Sequence, residues 1–296
     1  MNNKLPESLK LIPLCRNLSS WWEHVPIAHW LVEKLKPQII VELGTHNGVS
    51  FSSFCEAAEQ YSKDTYVYAI DTWEGDKQAG YYTDDVYQKV VNMQREHYAR
   101  CSTLIRSTFD EASKYFQNGS IDILHIDGLH TYEAVKNDYM TWRKKVRRGG
   151  TILFHDWNVR EGGFGVYKLW DEIKKEQGVC FTEIKNGYGL GVLTISGEKP
   201  TWHNELVENL EYLQMKGVLL SELNDLRQRL DISKQKESEL MIMQIRIRKE
   251  YDAMARHCKE QNKLISSLRE NWLKTLMRIA KRIKKDLSQT AKKLFN

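Results

Sequence analysis

Ile39-Ile40-Val41-Glu42-Leu43-Gly44-Thr45-His46-Asn47-Gly48 is the stretch that decides the fold. Its first five residues are a short β-branched and aliphatic run that reads as a buried strand, and Gly44 interrupts it. From 48 to 60, Val49, Phe51, Phe54, Cys55 and Ala58 recur at helical spacing, so a glycine turn joins a strand to a helix. The unit repeats outward. YVYAID (66–71), TLIR (103–106), IDILHID (121–127) and TILFHD (151–156) read as further strands separated by helix-length segments, with another helix over 164–177. FTEIK and GLGVLTI then read as a closing pair of strands joined through Gly187 and Gly189. Alternation of this kind predicts an α/β fold with a doubly wound, Rossmann-like parallel sheet whose ligands lie at the carboxyl ends of the strands. The polar residues at those ends are Glu42, Asp71, Asp127, His155 and Asp156.

Beyond Pro200 the chain has no proline and a single glycine, Gly217. A heptad register from Leu219 places Leu219, Leu226, Leu240, Ile247, Met254 and Leu268 at d, and Leu223, Leu230, Tyr251, Ile265 and Trp272 at a. The same register sets polar Ser233, Glu237, Gln244 and Gln261 into the stripe. A long C-terminal coiled coil follows, reaching about 90 Å over 212–271 at 1.5 Å per residue; the alternative is a helical hairpin folded back on the sheet domain. Three parts are expected: 1–200 as the sheet domain with N-terminal helices, 205–271 as coiled coil, and 272–296 as a basic amphipathic helix. That last part carries eight basic residues against Asp286, a net +7, so the remainder of this +5 chain is slightly acidic. A single-sign amphipathic helix suits the headgroup plane of an anionic membrane, and otherwise continues the coiled coil as a solvated end. An acidic body argues against a nucleic-acid grip by the main domain.

Five cysteines without a C-x-x-C pair suggest neither a zinc cage nor a disulfide framework and fit a reducing cytoplasm. No stretch approaches the roughly 20 apolar residues of a spanning helix. The expected location is therefore cytoplasmic, peripheral at the inner face of the cell membrane.

The turn after the first strand is E-x-G-x-x-x-G, which is neither the dinucleotide G-x-G-x-x-G nor a P-loop with its lysine. A nucleoside without a polyphosphate fits it better, with Asp71 placed to accept ribose hydroxyls. Alcohols are poor nucleophiles until their proton is being removed, and His130, three residues after Asp127 at the mouth of the sheet, is the candidate base. Its alternative role is to orient the following helix.

Taken with WWEHVPIAHWLVEKLKP, DTWEGDKQAG, RSTFDEA, HIDGLHTYEAV and GGTILFHD, these residues resemble a class I S-adenosylmethionine-dependent methyltransferase over about 20–196. The likeness is to the sugar and small-molecule O-methyltransferase group associated with bacterial surface-polysaccharide synthesis. It implies S-adenosylmethionine as cofactor, with Glu42, Gly44, Thr45 and Gly48 along its methionine and ribose side, Asp71 on the ribose, and Arg106 and Ser107 near the adenine. It implies a catalytic pair, Asp127 and His130, in D-x-x-H. It also implies a divalent, magnesium-type cation on Asp127 and Asp156, with His155 as a further candidate ligand. The family's acidic pair after the next strand is here His155-Asp156, and because magnesium prefers oxygen ligands the histidine alters either the metal or the need for one. The N/D-P-P-Y segment common in amine methylation is replaced by DGLH, which favours oxygen.

The implied acceptor is a glycan or lipid-linked saccharide, methylated in a chain-terminating manner of the O-antigen type. The implied partners are a glycosyltransferase or polymerase, an anionic membrane surface, and a second or third copy of this chain through the coiled coil. A nucleic-acid methyltransferase with a basic tail and a coiled-coil scaffold with an inactive domain are the competing readings.

Overall fold

The computed structural model describes residues 5–196 and 199–294, with side chains through Arg278 and at Lys281. Most of the side-chain pattern read for 272–296 therefore lies outside the described residues. After a 3-10 turn at Ser20–His24 the elements are α1 (Val25–Leu35), β1 (Ile39–Leu43), α2 (Val49–Tyr61) and β2 (Tyr66–Asp71). A small hairpin of β3 (Gly75–Asp76) and β4 (Gly80–Tyr81), then α3 (Asp84–Met93) and β5 (Ser102–Arg106), lead to α4 (Phe109–Ala112), β6 (Ile121–Ile126) and α5 (Tyr132–Trp142). The chain continues through β7 (Val146–His155), α6 (Val166–Ile173), β8 (Val179–Ile184), β9 (Leu190–Ile195) and α7 (Thr201–Leu294).

Seven strands form one sheet in the order β5-β2-β1-β6-β7-β9-β8, with β9 antiparallel to both β7 and β8 and the others parallel. This is a doubly wound, Rossmann-like arrangement closed at one edge by an antiparallel pair and followed by one long helix. The strands buried on both faces lack the in-out alternation of a solvated sheet, as β1 shows with Ile40 to Leu43 all buried. One face packs on α1, α2 and the first turns of α7, where Trp202, Leu206 and Leu213 join Trp30 and Phe54. The other packs on α4 to α6 through Ala112, Val135, Trp142, Leu169 and Trp170.

The compact unit does not end at the closing strands. It runs Met1–Leu226, and Arg227–Asn296 forms a second unit. The opening of α7 is domain and not rod because its side chains find partners there. His203 is buried between Thr182 Oγ1 (2.8 Å from Nδ1) and Thr194 Oγ1 (2.9 Å from Nε2), tying the helix to β8 and β9. Lys216 Nζ donates to the carbonyls of Ser8 (3.2 Å) and Leu11 (2.6 Å). Gly217 lies so close to the 3-10 turn that a Cβ there would sit 2.1 Å from the Glu23 carbonyl oxygen. In the second unit the residues of the heptad stripe, among them Leu240, Ile247, Met254 and Leu268, are all exposed. Among the described residues no helix is long and apolar enough to cross a membrane.

Candidate active site

A cavity of about 680 Å³ opens at the carboxyl ends of the parallel strands, within the 300 to 1,000 Å³ range of small-molecule sites. One wall is the turn after β1. Gly44 is at φ +90°, and a Cβ there would meet the Asp127 carbonyl oxygen at 2.0 Å, so only glycine lets the turn lie against the end of β6. Asp71 at the end of β2 fixes this wall: its Oδ2 accepts from the backbone N–H groups of Thr45 and His46 (both 2.9 Å) and its Oδ1 from Trp73 (2.7 Å). His46 stacks on Tyr82 with ring centroids 4.6 Å apart. His46, Trp73 and Asp156 all hold positive φ without being glycine, a strain that clusters at this cavity.

The opposite wall brings together two histidines and two aspartates. His130 Nε2 lies 2.9 Å from Asp156 Oδ2 and 3.4 Å from Asp127 Oδ1, while His155 Nδ1 lies 3.2 Å from each of the same carboxylates. Burial alone would discharge all four groups, but their mutual attraction wins. His130 is raised to about 9 and His155 to about 10, and the two carboxyls are held below their usual range. Two imidazolium ions thus balance two carboxylates. Phe164 stacks on His130 at 4.6 Å, and Gln78 Oε1 accepts from the His130 backbone N–H at 2.9 Å. The ring of the candidate base is therefore held from both sides. Its Nδ1 has no partner among the described residues.

Behind this wall a buried polar chain runs into the N-terminal segment. Trp21 Nε1 donates to His125 Nε2 at 3.2 Å, so His125 Nδ1 carries the proton that faces Glu42 Oε1 at 3.1 Å. His24 contacts the Gly187 carbonyl at 2.9 Å and packs edge-on against His155; burial drives it down to about 3, so it stays neutral.

The residues expected to touch a cofactor divide. Gly44, Thr45 and Asp71 line the cavity, as do Asp127, His130 and Asp156. Glu42 is fully buried on His125 and is not on the cavity wall. Gly48 serves as the N-cap of α2. Arg106 is drawn away by Asp84, at 2.7 Å, and lies over the Tyr87 ring, while Ser107 donates its backbone N–H to the Asp71 carbonyl. The far end of the cavity is formed instead by Thr108, Phe109, Asp110, Gly128 and Asp138, which sequence reading passed over.

Asp127, His130 and Asp156 bring one donor atom each within 4.8 Å of one another. Two carboxylates and an imidazole fit a divalent transition metal better than magnesium. His155, expected among the ligands, is buried and pairs both carboxylates through Nδ1.

Residues 41–157 match the family model described as "Methyltransferase domain". A curated relative, "Uncharacterized protein y4gI" of Sinorhizobium fredii, is 40% identical over 192 residues, which is 65% of this chain. The chain spans only a fifth of that relative's length. Among solved structures, the O-methyltransferase TomG of Streptomyces achromogenes, in complex with S-adenosylmethionine, is similar at 12% identity and a TM-score of 0.46, covering 66% of this chain and 92% of its own. Methyltransferase PaMTH1 of Podospora anserina is similar at 11% identity and 0.47, covering 65% and 89%. The segment 41–157, which carries the first strands of the Rossmann-like sheet and most of its crevice, is thus the part of the chain that matches a methyltransferase-domain model.

Proposed function

We propose that the protein transfers a methyl group from S-adenosylmethionine to a hydroxyl of a saccharide acceptor. The observation that carries this reading is the position of His130, on the wall of a nucleoside-sized cavity facing the glycine turn, with its Nε2 on Asp127 and Asp156. When bound, S-adenosylmethionine supplies an electrophilic methyl on a sulfonium sulfur. Thr45 and the loop anchored by Asp71 would hold its nucleoside, and Gly44 leaves room for it. His130 Nε2 would take the acceptor's proton as the oxygen attacks, with Asp127 and Asp156 orienting the ring and stabilising the imidazolium that results. Asp127 and Asp156 would hold a divalent cation through their other carboxylate oxygens, leaving His130 free to act as the base, and the cation's contribution would be to polarise the acceptor oxygen.

The choice of oxygen rests on the absence of the amine-cradling motif after β6, and the surface-polysaccharide acceptor rests on the sequence resemblance. The same reading makes the exposed apolar stripe of α7 a homo-oligomeric seam and its basic end a contact with the inner face of an anionic membrane, near a glycosyltransferase or polymerase. Calorimetry with S-adenosylhomocysteine tests the cofactor: binding is expected, with a loss of about 10-fold or more in Asp71→Ala, since that change removes three loop contacts as well as the ribose acceptor. An absence of binding by the intact protein would overturn the reading.

A further inference from the structure

Among the described residues, Asp138 is a buried acid that receives no hydrogen bond. On α5 it shares the inward face with Val135, Tyr139 and Trp142, and it is only 7% exposed. Its carboxylate reaches the far end of the cavity, where Oδ2 would lie 3.4 Å from a Cβ on Gly128 and the Phe109 ring edge abuts the same glycine. No hydrogen bond reaches it among the described residues. The neighbouring acid, Asp110 on α4, lines the same end and has a partner, accepting from Asn137 Nδ2 at 3.1 Å. A buried carboxyl left unpaired costs free energy that a merely structural residue would not impose, because an apolar side chain of that shape would pack there more favourably.

Burial, with the charge of Asp110 beside it, pushes the Asp138 carboxyl up to about 7, so near neutrality much of it is the acid, with one O–H to donate and one carbonyl to accept. That pair of groups complements the edge of an aminopurine, which offers an amino N–H₂ next to a ring nitrogen acceptor. The position agrees. With a ribose at Asp71 on β2, the base falls towards the loops that follow β5 and β6, which are Thr108 to Asp110 and Gly128 to Leu129. Asp138 stands about 9 Å along α5 from the end of the helix that follows His130, at 1.5 Å per residue, so it faces the part of a ligand that does not react.

We propose that Asp138 reads the adenine edge of the cofactor, its carboxyl accepting from the 6-amino group and donating to the adjacent ring nitrogen. This inference rests on the proposed S-adenosylmethionine site and goes beyond it by naming the group that selects the base. It makes Asp138 a binding residue that is costly to the empty protein and favourable in the complex.

The test is titration calorimetry of the full chain with S-adenosylhomocysteine, paired with thermal melts of the ligand-free protein. Asp138→Leu should weaken binding at least 10-fold while leaving the ligand-free melting temperature equal or higher, a combination that a structural role would not give. Asp138→Asn, which keeps one donor and one acceptor, should bind within about threefold of the native chain. A second measurement does not depend on any variant folding. The native chain should bind the analogue with hydrogen in place of the 6-amino group at least 10-fold more weakly than S-adenosylhomocysteine, and that gap should shrink in Asp138→Leu. Native affinity in a folded Asp138→Leu, or equal affinity of the native chain for both ligands, would overturn the proposal. Failure of the native chain to bind either ligand would instead defeat the cofactor reading beneath it.

Discussion

His130 carries two demands that pull in opposite directions. Asp127 and Asp156 hold its ring in place, and they also raise it to about 9, whereas a base must start neutral. The rate is therefore expected to climb with pH from 7 towards 9, since the neutral imidazole gains about tenfold per unit below that value; a flat profile in initial rates would remove His130 as the base. His130→Ala should lower turnover about 100-fold or more with S-adenosylhomocysteine affinity largely kept. If a cation is required, exhaustive chelation should abolish turnover in the native chain. Asp138 offers a separate titration. Its folded value is raised above the unfolded one, so its contribution to stability is present below about 4 and is lost as pH rises towards 7. Urea unfolding of the ligand-free protein should show Asp138→Asn gaining on the native chain across that window, by at most about 4 kcal/mol. Most acids of the candidate site were legible because a parallel sheet delivers its strand ends to one edge, so a run such as HIDGLH announces its own position. Asp138 also left a mark that can be read: an aspartate at the i+3 position of the apolar series 135, 138, 139 and 142. Trp21 and His24 left none, since only the tertiary fold brings them to His125 and His155.

Among the elements, the parallel strands were legible almost to the residue, while β7 began earlier than its apolar run suggests. Val146 pairs with Ile121 before the register shift, pairing resumes at Thr151 with Ile123, and the two arginines and two glycines between them conceal this part of the strand from any periodicity argument. The first turns of α7 pack on the sheet domain, a division the pattern does not show because heptads look alike whether the partner is another helix or the sheet domain. His203 decides the matter for the first turns. It is held neutral, its value lowered to about 4 by burial, between two threonine hydroxyls. The unfolded chain takes up that proton near 6.5, so this contribution is present above 6.5 and is lost as pH falls towards 4. His203→Leu should cost about 1 to 3 kcal/mol in urea unfolding at pH 7.5, through the unpaired threonines, and should flatten the acid limb of stability against pH. An unchanged acid limb would show that the His203 proton is not the one that matters.

Across the whole molecule, the unit Met1–Leu226 holds every residue of the candidate site, and the unit beyond it exposes an apolar stripe that a single helix cannot bury. Analytical ultracentrifugation should find the full chain a dimer or trimer and a 1–226 fragment a monomer that still binds S-adenosylhomocysteine; a monomeric full chain would refute the seam. Removing 272–296 should release the protein from anionic liposomes without changing its state of association. The contacts at the root of α7 have a consequence for synthesis as well. Lys216 and Gly217 close over Ser8, Leu11 and Glu23, and Glu23 belongs to the turn whose Trp21 and His24 pack against His125 and His155. On a ribosome that emits the chain from its N-terminus, the first two dozen residues must wait for some two hundred more before their covering arrives. The nascent sheet can pair its strands in that interval, but the turn behind the candidate site is covered only by a segment that emerges long after Asp156.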